Sequence, residues 1–274
     1  MLANIDRHGK AIPIVLVHGS GFSKEVFERQ FAGRTLASRR LIAIDLPGHG
    51  ESADATDPHA TYSFSGFADA ILEFVSAKKL DPCIVAGWSL GGHAALDLIG
   101  RSDSIAGVMA FGAPPAANGP LGLIRSMHFC RLLLLAGKGR LSQAETEYFE
   151  RSCLNGHRPG QFIETLQRVD PLMRPNVSRA IFARRTASQK ELVETADIPV
   201  CLLQGGDDAL VRTNFMRNVS GPTLFGGETI VFEDCGHAPF LEQPEKFDRL
   251  LDEFATAVET GAAPRRVPDL AKAS

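Results

Sequence analysis

Ser89 sits in the pentapeptide Gly87-Trp88-Ser89-Leu90-Gly91, between an apolar run, Cys83-Ile84-Val85-Ala86, and a helix-like segment over 92–99. Glycines two residues to either side of a serine allow a turn too tight for a chain carrying Cβ atoms there. Strand, turn and helix in that order lift the hydroxyl out at the carboxyl edge of a sheet. The N–H of Leu90, at the helix start, is left free to hold an anion. An exposed hydroxyl beside an anion-binding amide suits nucleophilic attack on a carbonyl carbon. The pentapeptide also fits an ordinary strand-to-helix connection, so a base, an acid and a second oxyanion donor must be found elsewhere.

The base lies near the C-terminus. Thr229-Ile230-Val231-Phe232 reads as a short buried strand, and Glu233-Asp234-Cys235-Gly236-His237-Ala238-Pro239-Phe240 follows it. Gly236 permits an unusual backbone angle before His237, and Pro239 stops the strand. An imidazole on such a strand-end loop can face Ser89. Among the other histidines, His8, His59, His128 and His157 have poorly patterned surroundings and read as surface residues. His18 and His49 lie in Gly-rich turns and read as loop braces, while His93 lies one turn beyond Ser89 and reads as packed.

The acid must come between serine and histidine in the chain. The apolar strand Val200-Cys201-Leu202-Leu203-Gln204 runs into Gly205-Gly206-Asp207-Asp208-Ala209-Leu210-Val211. A carboxylate there can accept the Nδ1–H of His237 and stabilise the imidazolium formed during attack. Spacing favours Asp208, because Gly205 makes the turn and Val211 returns to the core; Asp207 is the alternative, with a turn or helix-cap role otherwise. The second oxyanion donor is read at Ser20. Ile14-Val15-Leu16-Val17 ends in His18-Gly19-Ser20-Gly21-Phe22, whose glycines let the main chain approach a carbonyl closely. One such donor is worth about 10²–10³ in rate.

Short apolar strands alternating with helical patterns must position these groups. Strands are expected at 12–17, 41–45, 83–87, 107–112, 200–204 and 229–232, with helices near 23–38, 63–79, 89–100, 212–219 and 244–260. Alternation of this kind implies an α/β fold, a mostly parallel doubly wound sheet with its active loops at the carboxyl ends of the strands. The short N-terminal lead leaves little room for an antiparallel edge hairpin. From Pro114 to about Thr195 only helices are expected: 123–136, 142–154, 160–169, 175–186 and 189–196. They read as a cap over Ser89, inserted between the sixth and seventh strands. The division is then a core of 1–113 and 197–260, a helical cap of 114–196 and a flexible tail of 261–274. Met127, Phe129, Leu132, Phe149, Phe162, Leu166 and Phe182 could line a pocket for a hydrocarbon chain, although each taken singly fits plain packing.

Composition narrows the classes. With 274 residues, 44% hydrophobic, the chain can bury a large core, and a net charge of -3 gives no electrostatic basis for nucleic-acid binding. No apolar run reaches bilayer length, and Leu132–Ala136 is far too short. The first residues lack an apolar signal core, and the 5 cysteines show no C-x-x-C pair; a cytoplasmic protein with reduced thiols is expected. No dense ligand cluster calls for a metal and no G-x-G-x-x-G for a dinucleotide, so no cofactor is expected.

His18–Gly21, Asp45–Ser52 (DLPGHGES), Gly87–His93 (GWSLGGH), Gly205–Val211 (GGDDALV) and Cys235–Pro244 (CGHAPFLEQP) together resemble the α/β-hydrolase superfamily over about residues 12–258. Within it, DLPGHGESADATDP at 45–58, TYSFSGFADAI at 61–71, GWSLGGH and GHAPFLEQP are similar to the serine-type N-acyl-homoserine lactonases. The resemblance implies a Ser89–Asp208–His237 triad and an oxyanion hole of Ser20 and Leu90. It further implies substrate contacts from Gly19, Trp88, Tyr148, Phe149 and Phe240, a small ester or lactone with an apolar acyl chain as partner, and a monomer or homodimer. Serine at 89 excludes the branches that carry aspartate there. The chain departs from the lactonase pattern at Ser20 (Asn expected), at Asp208 (Glu expected) and at Phe149, where a substrate-bonding Tyr is expected and Tyr148 is adjacent. Alternatives in the superfamily are a general carboxylesterase, a carbon–carbon bond hydrolase, disfavoured by Ala238 where Trp is usual, and a low-turnover ligand receptor.

Overall fold

The structure, a computed structural model, describes residues 1–117, 119–184 and 187–261. Seven strands form one sheet: β1 (Asn4–Arg7), β2 (Ile14–Val17), β3 (Leu41–Ile44), β4 (Cys83–Trp88), β5 (Ile105–Phe111), β6 (Val200–Gly205) and β7 (Ile230–Phe232). Their spatial order is β1-β3-β2-β4-β5-β6-β7. β1 pairs antiparallel with β3, and all the other pairings are parallel.

The helices preceding β5 are α1 (Glu28–Ala32), α2 (Pro58–Thr61), α3 (Phe64–Lys78) and α4 (Leu90–Leu96). Between β5 and β6 come α5 (Pro120–Ser126), α6 (Arg131–Leu135), α7 (Gln143–Cys153), α8 (Ile163–Arg168), α9 (Met173–Phe182) and α10 (Gln189–Glu194). The chain closes with α11 (Thr213–Arg217), α12 (Pro239–Glu242) and α13 (Pro244–Thr260).

Side chains alternate across the pleat, which explains why the central strands are apolar throughout: each face has its own helical cover. Ile14, Leu16, Ile84, Ala86, Met109 and Phe111 pack on the side holding Phe247, Leu250 and Phe254 of α13. Val15, Val17, Val85, Val108 and Ala110 pack on the side holding Phe67 and Ile71 of α3 and Ala94 of α4. The helix ends follow their sequence signals. The Ser63 hydroxyl accepts the Gly66 N–H to start α3, and α13 stops where Gly261 turns left-handed at φ 63°. The α/β architecture is the expected one.

Three expectations are corrected. The helical insertion lies between the fifth and sixth strands, not the sixth and seventh. Only the four-residue β1 precedes β2, so the strand before the insertion is the fifth along the chain. The helix expected over 123–136 is broken into α5 and α6 at Met127. There the chain becomes extended (φ −117°, ψ 151°) and forms an antiparallel bridge with Val211. The helix expected over 23–38 shrinks to a 3₁₀ turn at Lys24–Phe27 and α1, because Gly33 turns extended against the Asp248 carboxylate. From residue 262 onward the expected flexible tail lies outside the described residues.

Candidate active site

β4 delivers Ser89 and α4 leaves from it. Ser89 has φ 52° and ψ −114°, a conformation a non-glycine residue holds only when its surroundings enforce it. The enforcement is steric: a Cβ on Gly87 would stand 2.1 Å from the Gly91 carbonyl oxygen, and one on Gly91 2.4 Å from that of Val17. The Ser89 N–H is tied to the Phe111 carbonyl at 2.9 Å. Leu90, as the first residue of α4, has no acceptor one turn back for its own N–H.

The loop after β6 carries Asp208, the expected acid. Asp208 Oδ2 accepts the His237 Nδ1–H at 2.8 Å and the Gln204 Nε2–H at 3.0 Å. Its Oδ1 accepts the Leu210 and Val211 N–H groups at 2.8 and 3.0 Å. Burial alone would raise this carboxyl. The charge and hydrogen bond of His237, with the two amides, outweigh it and hold Asp208 below the usual carboxylate range. Asp207 is exposed, so Asp208 is the aspartate that reaches the imidazole. His237 is itself buried, and the Trp88 indole N–H donates to its carbonyl at 2.8 Å. Glu242, on α12, receives the N–H groups flanking the histidine: Gly236 at 2.8 Å and Ala238 at 3.0 Å. Among the described residues no hydrogen bond joins Ser89 to His237. The two line one small cavity of about 30 Å³ with Gly19, Ser20, Trp88 and Phe149.

The loop after β2 is held by His18. The Leu46 N–H donates to His18 Nε2 at 3.0 Å, which leaves Nδ1–H to donate to the Gly19 carbonyl at 2.8 Å. Burial lowers the His18 pKa, consistent with a neutral ring serving as acceptor and donor at once. His49 hydrogen-bonds the Pro47 carbonyl. His93 is packed as well: it stacks on Phe64 at 4.5 Å and bonds Gln189, and burial holds its pKa near about 4. His8, His59 and His128 are exposed, and His157 is half-buried.

Above Ser89 the helices between β5 and β6 border an open cavity of about 780 Å³ lined by Ser20, Ser89, Leu90 and predominantly apolar side chains. Met127, Phe129 and Phe182 line it. Leu132 and Phe149 line the small inner cavity instead. Phe162 and Leu166 are buried in packing and line neither. The helices between β5 and β6 are tied to the loop after β6: the His128 N–H donates to the Leu210 carbonyl and the Arg212 N–H to that of Ser126.

Two of the expected substrate contacts lie away from these cavities. Phe240 is fully buried against Phe27, Trp88, Phe111 and Phe247, because α12 turns it into the core. Tyr148 points to Arg131, whose guanidinium carbon lies 4.4 Å from its ring centre. Gly19 and Trp88 line the inner cavity only, with Trp88 fully buried beneath Gly19. Glu242 and Arg174 were not singled out as site residues. The position of Glu242 inside the CGHAPFLEQP run was a usable signal, whereas nothing in Met173-Arg174-Pro175 marks a buried cation.

Fold and site define an α/β-hydrolase, and residues 14–250 match the family model described as the alpha/beta hydrolase family. The chain belongs to that family. It is 29% identical, over 92% of its length and 98% of the relative's, to a pimeloyl-[acyl-carrier protein] methyl ester esterase of Neisseria meningitidis. Among solved structures it is similar to the N-acyl homoserine lactonase AidH. A mutant of that enzyme complexed with N-hexanoyl homoserine lactone matches at TM-score 0.91 and 30% identity, covering 94% of this chain and 95% of that one. AidH complexed with N-butanoyl homoserine matches at TM-score 0.89 and 31% identity, covering 94% and 93%. No helix among the described residues is long and apolar enough to cross a membrane.

Proposed function

We propose that the protein is a serine hydrolase that opens N-acyl-homoserine lactones through an acyl-enzyme, with Ser89 as nucleophile, His237 as base and Asp208 as the acid that orients it. One observation carries this conclusion: a serine forced to φ 52° shares a cavity with an imidazole whose other nitrogen is bonded to a buried carboxylate. His237 takes the hydroxyl proton through Nε2 as Oγ attacks the lactone carbonyl, and the Ser20 and Leu90 N–H groups hold the oxyanion. The imidazolium then protonates the leaving alkoxide, which stays tethered to the acyl group. Water activated by His237 releases the open acid. The apolar cavity of about 780 Å³ is of a size to take an acyl chain, in keeping with the likeness to a lactonase that binds such ligands.

A methyl ester or general carboxylesterase is the second reading, favoured by the likeness to the Neisseria esterase over nearly the whole chain. Five free thiols support a reducing, cytoplasmic setting. Ser89→Ala is expected to lower kcat on N-hexanoyl homoserine lactone by about four orders of magnitude or more, while a chelator changes nothing. Activity that survives the substitution but is abolished by EDTA overturns the proposal. A larger kcat/KM on simple alkyl esters than on any acyl-homoserine lactone moves the assignment to the second reading.

A further inference from the structure

Arg174 stands on α9 with a relative exposure of 1%. Among the described residues its guanidinium forms no hydrogen bond and no ion pair, and its Nε and Nη2 atoms are buried without partners. An unpaired buried cation costs several kcal/mol and is rarely kept unless something pairs it during function. Its surroundings say where that happens. Arg174 lines the same cavity as Ser20 and Ser89. Its guanidinium carbon lies 5.2 Å from the Phe149 ring centre. It also lies against the loop after β2, where a Cβ on Gly21 would come within 2.4 Å of Nη2. Gly21, at φ 87°, leaves that space to the guanidinium.

The rest of the cavity wall has the same sign. Its other charged lining side chains are Lys138 and Arg212, and no carboxylate lines it among the described residues. Those two cations have partners: Lys138 pairs with Glu145 at 2.7 Å, and Arg212 Nε donates to the Met127 carbonyl at 2.7 Å. Burial lowers the Arg174 pKa to about 10, so it remains charged at neutral pH. Arg174 is therefore, among the described residues, the one buried cation of the cavity wall without a partner, beside the loop proposed to bind the oxyanion.

We propose that Arg174 is the docking point for a carboxylate carried on the substrate's acyl chain, so that acid-bearing esters and lactones are preferred over neutral ones of equal length. A neutral acyl chain leaves the charge uncompensated, whereas a carboxylate accepts a guanidinium N–H and neutralises it. The preference for turnover rests on the Ser89 assignment made above; the binding does not.

The test has two arms. First, kcat/KM is measured for monomethyl esters of straight-chain dicarboxylic acids against methyl alkanoates of the same chain length, in wild type and Arg174→Gln. At the best length the wild-type ratio is expected to favour the acid by about tenfold to a hundredfold, the span of one charge-assisted hydrogen bond, and to fall to near one in Arg174→Gln. Second, binding of the free dicarboxylates to Ser89→Ala is measured by calorimetry with and without Arg174→Gln, a readout that needs no turnover. A loss of at least about tenfold in affinity is expected in the double variant. A wild-type ratio at or below one, which needs no Arg174 variant to establish, overturns the proposal. So does a folded Arg174→Gln that keeps the acid preference or the dicarboxylate affinity. Dicarboxylate binding without turnover of any ester leaves the Arg174 site standing and removes the Ser89 mechanism.

Discussion

Asp208→Asn separates the orienting function of the carboxylate from its mere presence. In the native site Oδ1 receives two amide N–H groups, from Leu210 and Val211, while Oδ2 receives N–H groups from His237 and Gln204. An asparagine can supply a carbonyl oxygen to only one of those pairs. With the oxygen left on the two amides, the new NH₂ faces His237 Nδ1 and the Gln204 amide, both of which were donors. The imidazole relieves its conflict by moving its proton to Nε2, the nitrogen that must accept the Ser89 proton. The base is then present but in the wrong tautomer. In a comparable triad the same change costs about 10⁴ in kcat, or about 5 kcal/mol of transition-state stabilisation. KM should move by no more than a few-fold, since Asp208 lines neither the large cavity nor the inner one. The assay is steady-state hydrolysis of a p-nitrophenyl ester at pH 7.5, with circular dichroism to establish that the variant is folded. A folded Asp208→Asn that keeps more than a tenth of wild-type kcat refutes both the tautomer reasoning and the role given to Asp208.

The remaining predictions concern the frame around the site. Glu242→Gln turns one of the two acceptor oxygens facing the Gly236 and Ala238 N–H groups into a donor. Urea unfolding should show a loss of about 1–2 kcal/mol, with a fall in kcat as the His237 loop loosens, and unchanged stability and rate would show that Glu242 braces nothing. Asp248 is buried beside Gln30, and burial pushes its pKa up to about 6. Its ordinary value is 3.8, so the protonated form is favoured in the fold and the contribution to stability is full below pH 4 and lost as pH rises through 6. Asp248→Asn keeps an acceptor for Gln30 and should therefore be more stable than wild type by about 2 kcal/mol at pH 8 and no more stable at pH 4. A pH-independent difference between the two proteins would contradict the shift.

Local rules made the sheet and the neighbourhood of Ser89 legible in the sequence. A fully buried parallel strand needs apolar residues on both faces, so β2, β4 and β6 stand out as short unbroken runs. The glycines at 87 and 91 mark a turn because the contacts that forbid a Cβ there, with the Gly91 and Val17 carbonyls, come from segments the motif itself implies. Turn spacing favours Asp208, and its carboxylate, not that of Asp207, meets the imidazole. The cap was legible only as helix. Where it breaks is decided by a long-range bridge, Met127 to Val211, that no window of the chain contains. The resemblance implies a substrate contact from Phe240, yet the start of α12 at Pro239 rotates it into the core.

Arg174 shows the same divide most sharply. On the helix sequence Met173-Arg174-Pro175-Asn176 an arginine would ordinarily face solvent, since a buried cation costs more than the helix gains by hiding it. It is buried because Gly21, 153 positions earlier (174 − 21), lacks a side chain, and because the Phe149 ring offers it an aromatic face. Those two neighbours come from the core loop and from α7, so the charge is set down where core and cap meet, over the cavity shared with Ser89. Residues that perform chemistry on a carbonyl are constrained by their own short motifs and show themselves early. Residues that select which carbonyl arrives are constrained only by contacts across the cap, and their chemistry becomes readable when burial and missing partners are seen together.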